Sequence, residues 1–149
     1  MKLSDHITRF MEEKSDSVFL VSGGGVMHII DSIGRSKLHS YCCHHEQGAA
    51  KAAEGYARMK NDIGLAVVTT GPGGTNAITG VAASWVDNIP RMVISGQVRI
   101  PMMTPDDKRP GLRQVGPQEL NITDIVKPIT KYAAVVKNPE EIRYHLEKA

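Results

Sequence analysis

The chain has 149 residues, enough for one domain with a buried core, and its formal net charge is only +2. Basic and acidic residues are interspersed with no run of five like charges, so neither nucleic acid nor a membrane surface is an expected partner. No apolar stretch approaches the roughly 18 residues of a spanning helix, the N-terminal MKLSDHITRFMEEK lacks the continuous apolar segment of a secretory signal, and two adjacent cysteines make no disulfide framework, in keeping with a reducing cytoplasm.

Residues 4–14 read as a helix, with Ser4 as its N-cap and Ile7, Phe10 and Met11 on one face. Residues 17–21 (SVFLV) are a short apolar strand that runs into Gly23-Gly24-Gly25. Helical spacing over 26–34 stops at Gly34. Residues 38–43 (LHSYCC) are a candidate strand, and the alanine-rich stretch 47–60 a helix. Residues 64–70 (GLAVVTT) form a wholly apolar strand that meets Gly71-Pro72-Gly73-Gly74. A helix is predicted over 75–86, capped by Thr75 or Asn76, then a turn at Asp87–Pro90 and a buried strand over 91–95. Residues 99–113, with three prolines and several charges, read as a long loop; 117–126 is a short helix and 129–136 a strand or an irregular segment. Residues 138–148 are a helix capped by Asn138 with Pro139 in its first turn.

This alternation predicts an α/β domain spanning 1–149, a parallel sheet with helices on both faces. Strands 64–70 and 91–95 lack polar alternation, as strands covered on both faces do. Ligands of such sheets sit beyond the carboxyl ends of the strands, which directs attention to Ser22–Gly25, His45–Gln47 and Thr70–Asn76.

The candidate chemistry is weaker taken motif by motif. SGGGVMH lacks the third glycine of G-x-G-x-x-G, and GPGGTN is not followed by Gly-Lys-Ser/Thr; either stretch reads first as a tight strand-to-helix turn. Cys42-Cys43-His44-His45-Glu46 collects metal-ligating residue types, but contiguous residues leaving a strand point to alternate faces and do not converge on one ion. No metal site is expected, and the two cysteines read as small buried strand residues. Glu46 sits where a strand meets a helix. By position alone it reads as a helix-capping glutamate. In a water-poor cleft such a carboxyl can instead hold or pass a proton.

"HHEQGAAKAAEGYAR" followed by "VVTTGPGGTNAITGVAASWVDNIPRMVISGQV" resembles the N-terminal, pyrimidine-binding domain of thiamine diphosphate-dependent enzymes, in the acetolactate synthase-like branch. Three motifs, H-E-Q-G-A, T-G-P-G-x-T-N and S-G-Q-V, stand in the family's order, and the resemblance runs from about Ser4 through "DIVKPITKYAAVVKNPEEI". It implies a flavodoxin-like three-layer fold. It implies that Glu46 is the catalytic residue, its carboxyl hydrogen-bonded to N1′ of the cofactor's aminopyrimidine so that the 4′-nitrogen removes the thiazolium C2 proton for attack on a 2-oxo acid. Thr70, Pro72 and Asn76 are the implied contacts of the pyrimidine ring. Ser22-Gly23-Gly24 aligns with a family Pro-Gly-Gly loop, so Ser22 replaces the proline while backbone contact from Gly23 and Gly24 is retained. Gln118 matches a substrate-side residue. Pro117 stands where the family has phenylalanine, and without that ring a decarboxylase or carboligase with another acyl acceptor is as well supported as acetolactate synthesis.

The family binds the diphosphate and its Mg²⁺ through a second domain, with a Gly-Asp-Gly motif that this sequence does not contain. The chain is therefore expected to be a fragment or a split subunit, to lack the domain's last strand and to be inactive alone. It is expected to work as a homodimer or higher homo-oligomer, or with a diphosphate-binding partner subunit. The sequence is silent on FAD, which some relatives bind mostly through another domain. A contrasting expectation is a non-catalytic α/β domain that uses its glycine loops for a different small ligand; Glu46 discriminates between the two.

Overall fold

A computed structural model of the chain describes residues 1–104 and 111–149. Four strands, β1 (Ser17–Leu20), β2 (His39–Cys42), β3 (Gly64–Val68) and β4 (Arg91–Ser95), form a sheet in the order β2-β1-β3-β4. Every neighbouring pair is parallel; Val18 lies opposite Leu65, and Leu65 in turn opposite Met92. The crossovers are the helices α2 (Met27–Gly34), α3 (Glu46–Lys60) and α4 (Pro72–Val86), preceded by α1 (Leu3–Lys14) and followed by α5 (Ile122–Val126) and α6 (Ile142–Lys148).

The sheet carries helices on both faces, as expected, and β3 shows why. Its period of two sends Leu65 and Val67 into one cluster with Ile7 and Met11 of α1, Ile33 of α2 and Leu146 of α6. Val68 points the other way, against Ala50 of α3, Ala77 of α4 and Val93. Both of its faces are covered, so all five residues of β3 are buried. Each such Leu or Val side chain contributes about 1.5–3 kcal/mol relative to exposure. The alanines of α3 have a packing reason. Ala49, Ala50, Ala53 and Ala57 are all buried, and their small side chains let the helix lie close on the sheet.

Several boundaries differ from the sequence reading. Ser4 is not the N-cap of α1; Lys2 holds that position, and Ser4 is buried inside the helix, its hydroxyl 2.9 Å from that of Ser32 on α2. α4 begins at Pro72 and not at Thr75, because Pro72 occupies a first-turn position where a missing N–H costs nothing. Neither cysteine is buried strand filler: β2 is an edge strand, Cys42 is exposed and Cys43 is half-buried. β4, the opposite edge, is half-buried apart from Met92. The expected helix over 117–126 is confined to 122–126, where the Asn121 side chain accepts from the Asp124 N–H. Residues 130–138 are irregular, so the strand alternative for 129–136 is set aside. Asn138 caps a short 3-10 turn, Pro139–Glu141, that leads into α6. Of the loop expected over 99–113, residues 105–110 lie outside the described residues; Ile100–Met102 make one 3-10 turn. No helix among the described residues is long and apolar enough to cross a membrane.

Candidate active site

The chain runs from β1 outward to β2 and then returns to lay β3 on the other side of β1. The direction of winding therefore reverses between β1 and β3, and a crevice opens there beyond the carboxyl ends of the strands. The two glycine-rich segments flank it, one after each strand. Gly25 N–H donates to Thr69 Oγ1 across the crevice at 3.2 Å. Gly23 packs so closely on Thr69 that a Cβ there would lie 2.4 Å from the same hydroxyl oxygen, whereas a Cβ on Gly24 would meet nothing. Close approach thus explains Gly23, while Gly24 leaves its surface open.

Glu46 is the first residue of α3, at the end of β2. It does not cap the helix. His45 does, with its Nδ1 accepting from Gln47 N–H at 3.1 Å. Glu46 is buried at 8% exposure, and its Oε2 accepts from Asn76 Nδ2 at 2.9 Å. That bond joins the start of α3 to the first turns of α4 and unites two residues 30 positions apart. Oε1 receives no hydrogen bond among the described residues. A Cβ on Gly73 would stand 3.5 Å from it, so the glycine keeps bulk away from the carboxyl.

Thr70, at the end of β3, is 4% exposed with its hydroxyl unpartnered, and that hydroxyl faces Gly25: a Cβ there would lie 1.9 Å from it. Gly71 turns the chain from β3 into α4 with φ 59° and ψ −105°, a conformation that L side chains rarely adopt. Pro72 is exposed at the helix start. From the expected set the structure joins Glu46 to Asn76 directly, keeps Thr70 and Pro72 on either side of Gly71 in the turn that opens α4, and sets Gly23 against Thr69 on the opposing segment with Gly24 next to it. Gln118 comes in by its backbone: it adopts φ 60°, its carbonyl rests against Gly71, and the residue as a whole is exposed. His44 and His45 are both exposed, and among the described residues no group of three or more His, Cys, Asp or Glu is arranged to hold a metal ion. Shallow depressions of about 400 and 470 Å³ lie at the other end of β1, around Ser15 and Asp16, away from all of these groups.

Thr69 was not singled out by sequence reasoning, although it bridges the crevice. Its signal was present in the paired threonines before Gly71, but a threonine at a strand end has many ordinary uses. The His45 cap was hidden for a different reason: histidine is not among the residues that usually cap helices.

The arrangement can recognise a flat, polar, uncharged edge. A buried carboxyl oxygen of Glu46 stands open toward Gly73, which also packs on the Thr69 side chain. A parallel α/β sheet of this order is a fold that takes ligands beyond the carboxyl ends of its strands, at the switch point. The family model "Thiamine pyrophosphate enzyme, N-terminal TPP binding domain" matches residues 1–125. The chain belongs to that family, in its acetolactate synthase-like part. It is 36% identical over 139 residues to the acetolactate synthase large subunit of Haemophilus influenzae, covering 93% of this chain and 23% of that protein. The acetolactate synthase large subunit of Corynebacterium glutamicum is 36% identical over 145 residues, covering 96% and 22%. Isozyme 3 of Escherichia coli K12 is 34% identical over 144 residues, covering 96% and 24%. The chain spans less than a quarter of the length of these curated relatives.

Proposed function

We propose that the chain is the pyrimidine-binding part of a thiamine diphosphate-dependent 2-oxo acid decarboxylase or carboligase, with Glu46 as its catalytic residue. The observation that carries this reading is the buried Glu46 carboxyl, held by Asn76 through Oε2 and open at Oε1 toward Gly73. When bound, the cofactor supplies an electron sink for the carbon that loses carbon dioxide. What the chain itself does is narrower. Glu46 orients the ring edge and holds a proton at its nitrogen; Asn76 fixes the rotamer of that carboxyl; Thr70 offers a hydroxyl; Pro72 and the Gly23–Gly24 backbone bound the ring plane. Gln118 faces the substrate side in this reading, and Pro117, in place of the family's phenylalanine, supports another acyl acceptor as well as it supports acetolactate synthesis.

The remaining needs of the reaction fall outside this chain. Diphosphate and Mg²⁺ are held by another domain, in a homodimer or from a partner subunit, and the chain alone is inactive. FAD, where it is used at all, belongs to a further domain. The free thiols of Cys42 and Cys43 go with a cytoplasmic location. The test is a chimera in which residues 1–149 replace the matching segment of the Haemophilus influenzae enzyme. Thiamine diphosphate-dependent consumption of pyruvate supports the proposal, and it should vanish in Glu46→Gln. A folded chimera that binds the cofactor and consumes no 2-oxo acid would overturn it, and would favour a binding module of the same fold.

A further inference from the structure

Two glycines at the start of α4 have no room for a side chain, and in both cases the obstruction is the segment after Gly116. A Cβ on Gly71 would sit 1.9 Å from the Gln118 carbonyl oxygen, and a Cβ on Gly74 would sit 2.9 Å from Ile122 Cγ1. The segment is thus a brace against the first turn of α4, and Gln118 makes its contact from a left-handed conformation, φ 60°. A non-glycine residue stays there only when its surroundings hold it.

The holding group is Glu119. Its carboxylate accepts from the Thr104 N–H, from Thr104 Oγ1 at 2.9 Å, from Val115 N–H at 2.9 Å and from Gly116 N–H at 3.4 Å. Its own N–H closes the turn onto the Gly116 carbonyl at 3.3 Å. One residue further on, the Leu120 carbonyl accepts from Gln97 Nε2 at 3.2 Å, which ties the segment to the loop after β4. Residues on both sides of Glu119 therefore touch the start of α4, while its carboxylate ties down the turn between them. Partial burial raises the carboxyl pKa, but the donors from Thr104, Val115 and Gly116 outweigh it and hold the group below the ordinary value of 4.5. The node is charged at neutral pH.

We propose that Glu119 is a positioning residue: it fixes the Gly116–Glu119 turn, which braces Gly71 through Gln118 and leads into Ile122 against Gly74, and so sets the start of α4 from which Asn76 reaches Glu46. Its bearing on catalysis rests on the role given to Glu46 above; the bracing does not, and hydrogen exchange in the 149-residue chain without cofactor tests it separately. The probes are the amides of Gly73 and Thr75, which donate to the Thr70 and Gly71 carbonyls. Glu119→Ala should speed exchange at both by roughly tenfold and at Val115 and Gly116 as well, with Leu65 and Val67 of β3 unchanged. Glu119→Gln, which keeps the shape and one acceptor, should fall between. If Val115 and Gly116 accelerate in both variants while Gly73 and Thr75 do not, Glu119 only ties its own turn and the proposal fails. It fails equally if both variants accelerate β3 along with everything else, because Glu119 then supports the whole fold and not this loop.

Discussion

Thr70 shows what the crevice gives up in stability. A buried hydroxyl without a partner costs about 1–3 kcal/mol, and nothing among the described residues offsets that cost here. Replacing Thr70 by valine keeps the shape and removes the orphan oxygen. Thr70→Val should raise the urea-unfolding stability of the chain by about 1 kcal/mol, and in a cofactor-loaded enzyme it should weaken the hold on the ring. A destabilised variant would mean that the hydroxyl is satisfied in solution and is not kept for a ligand. Glu46 and Asn76 were both legible as residue types in motifs, but their 2.9 Å bond was not, because spacing along a chain does not say which side chains meet.

At the level of elements, α3 illustrates how one cap places the acid. His45 in extended conformation, φ −152° and ψ 145°, ends the approach from β2 and satisfies the Gln47 N–H, so that Glu46 begins the helix facing α4. His45→Ala should cost about 1 kcal/mol in thermal or urea unfolding and should leave the far end of α3 unaffected. No loss of stability would show that the cap is replaceable by water. The buried strand β3 and the alanine-rich helix were readable from sequence, since a wholly apolar run and high helix propensity need no partner to be recognised. The start of α4 was not. Gly-Pro-Gly-Gly has the composition of a loop, and only the tertiary fit of Pro72 in the first turn and of Gly71 at φ 59° makes it the opening of a helix. The exposure of β2 was equally hidden, because a strand becomes an edge strand through sheet order, which no local pattern encodes.

Across the whole molecule, several carboxylates are tied to donors, and together they set the response to acid. Burial raises the pKa of Glu54 on α3, but hydrogen bonds from Arg58 and Lys51 more than compensate and leave it below 4.5. Asp16, ahead of β1, is lowered to about 2 by hydrogen bonds from Ser17 and then Tyr56. Glu119 is lowered as well. A group whose folded pKa is depressed contributes stability that is complete above its unfolded pKa and is lost as the pH falls through the folded value. Stability should therefore be level above the ordinary carboxylate values of 4.5 and 3.8 and decline from there toward pH 2. Urea midpoints followed from neutral pH downward check this, and Glu54→Gln should flatten part of the slope. A midpoint insensitive to acid would contradict the carboxylate ties.

The sheet, its switch point and the acid at the head of α3 converge on one claim, that Glu46 activates a bound aminopyrimidine. The most direct measurement is the rate at which the cofactor's C2 proton exchanges with deuterium in the chimera carrying residues 1–149, compared with its Glu46→Gln variant. The Glu46→Gln variant should still bind the cofactor and exchange slower by about a hundredfold or more. Equal rates in the two proteins would contradict it and would leave Glu46 as the first residue of a helix and no more.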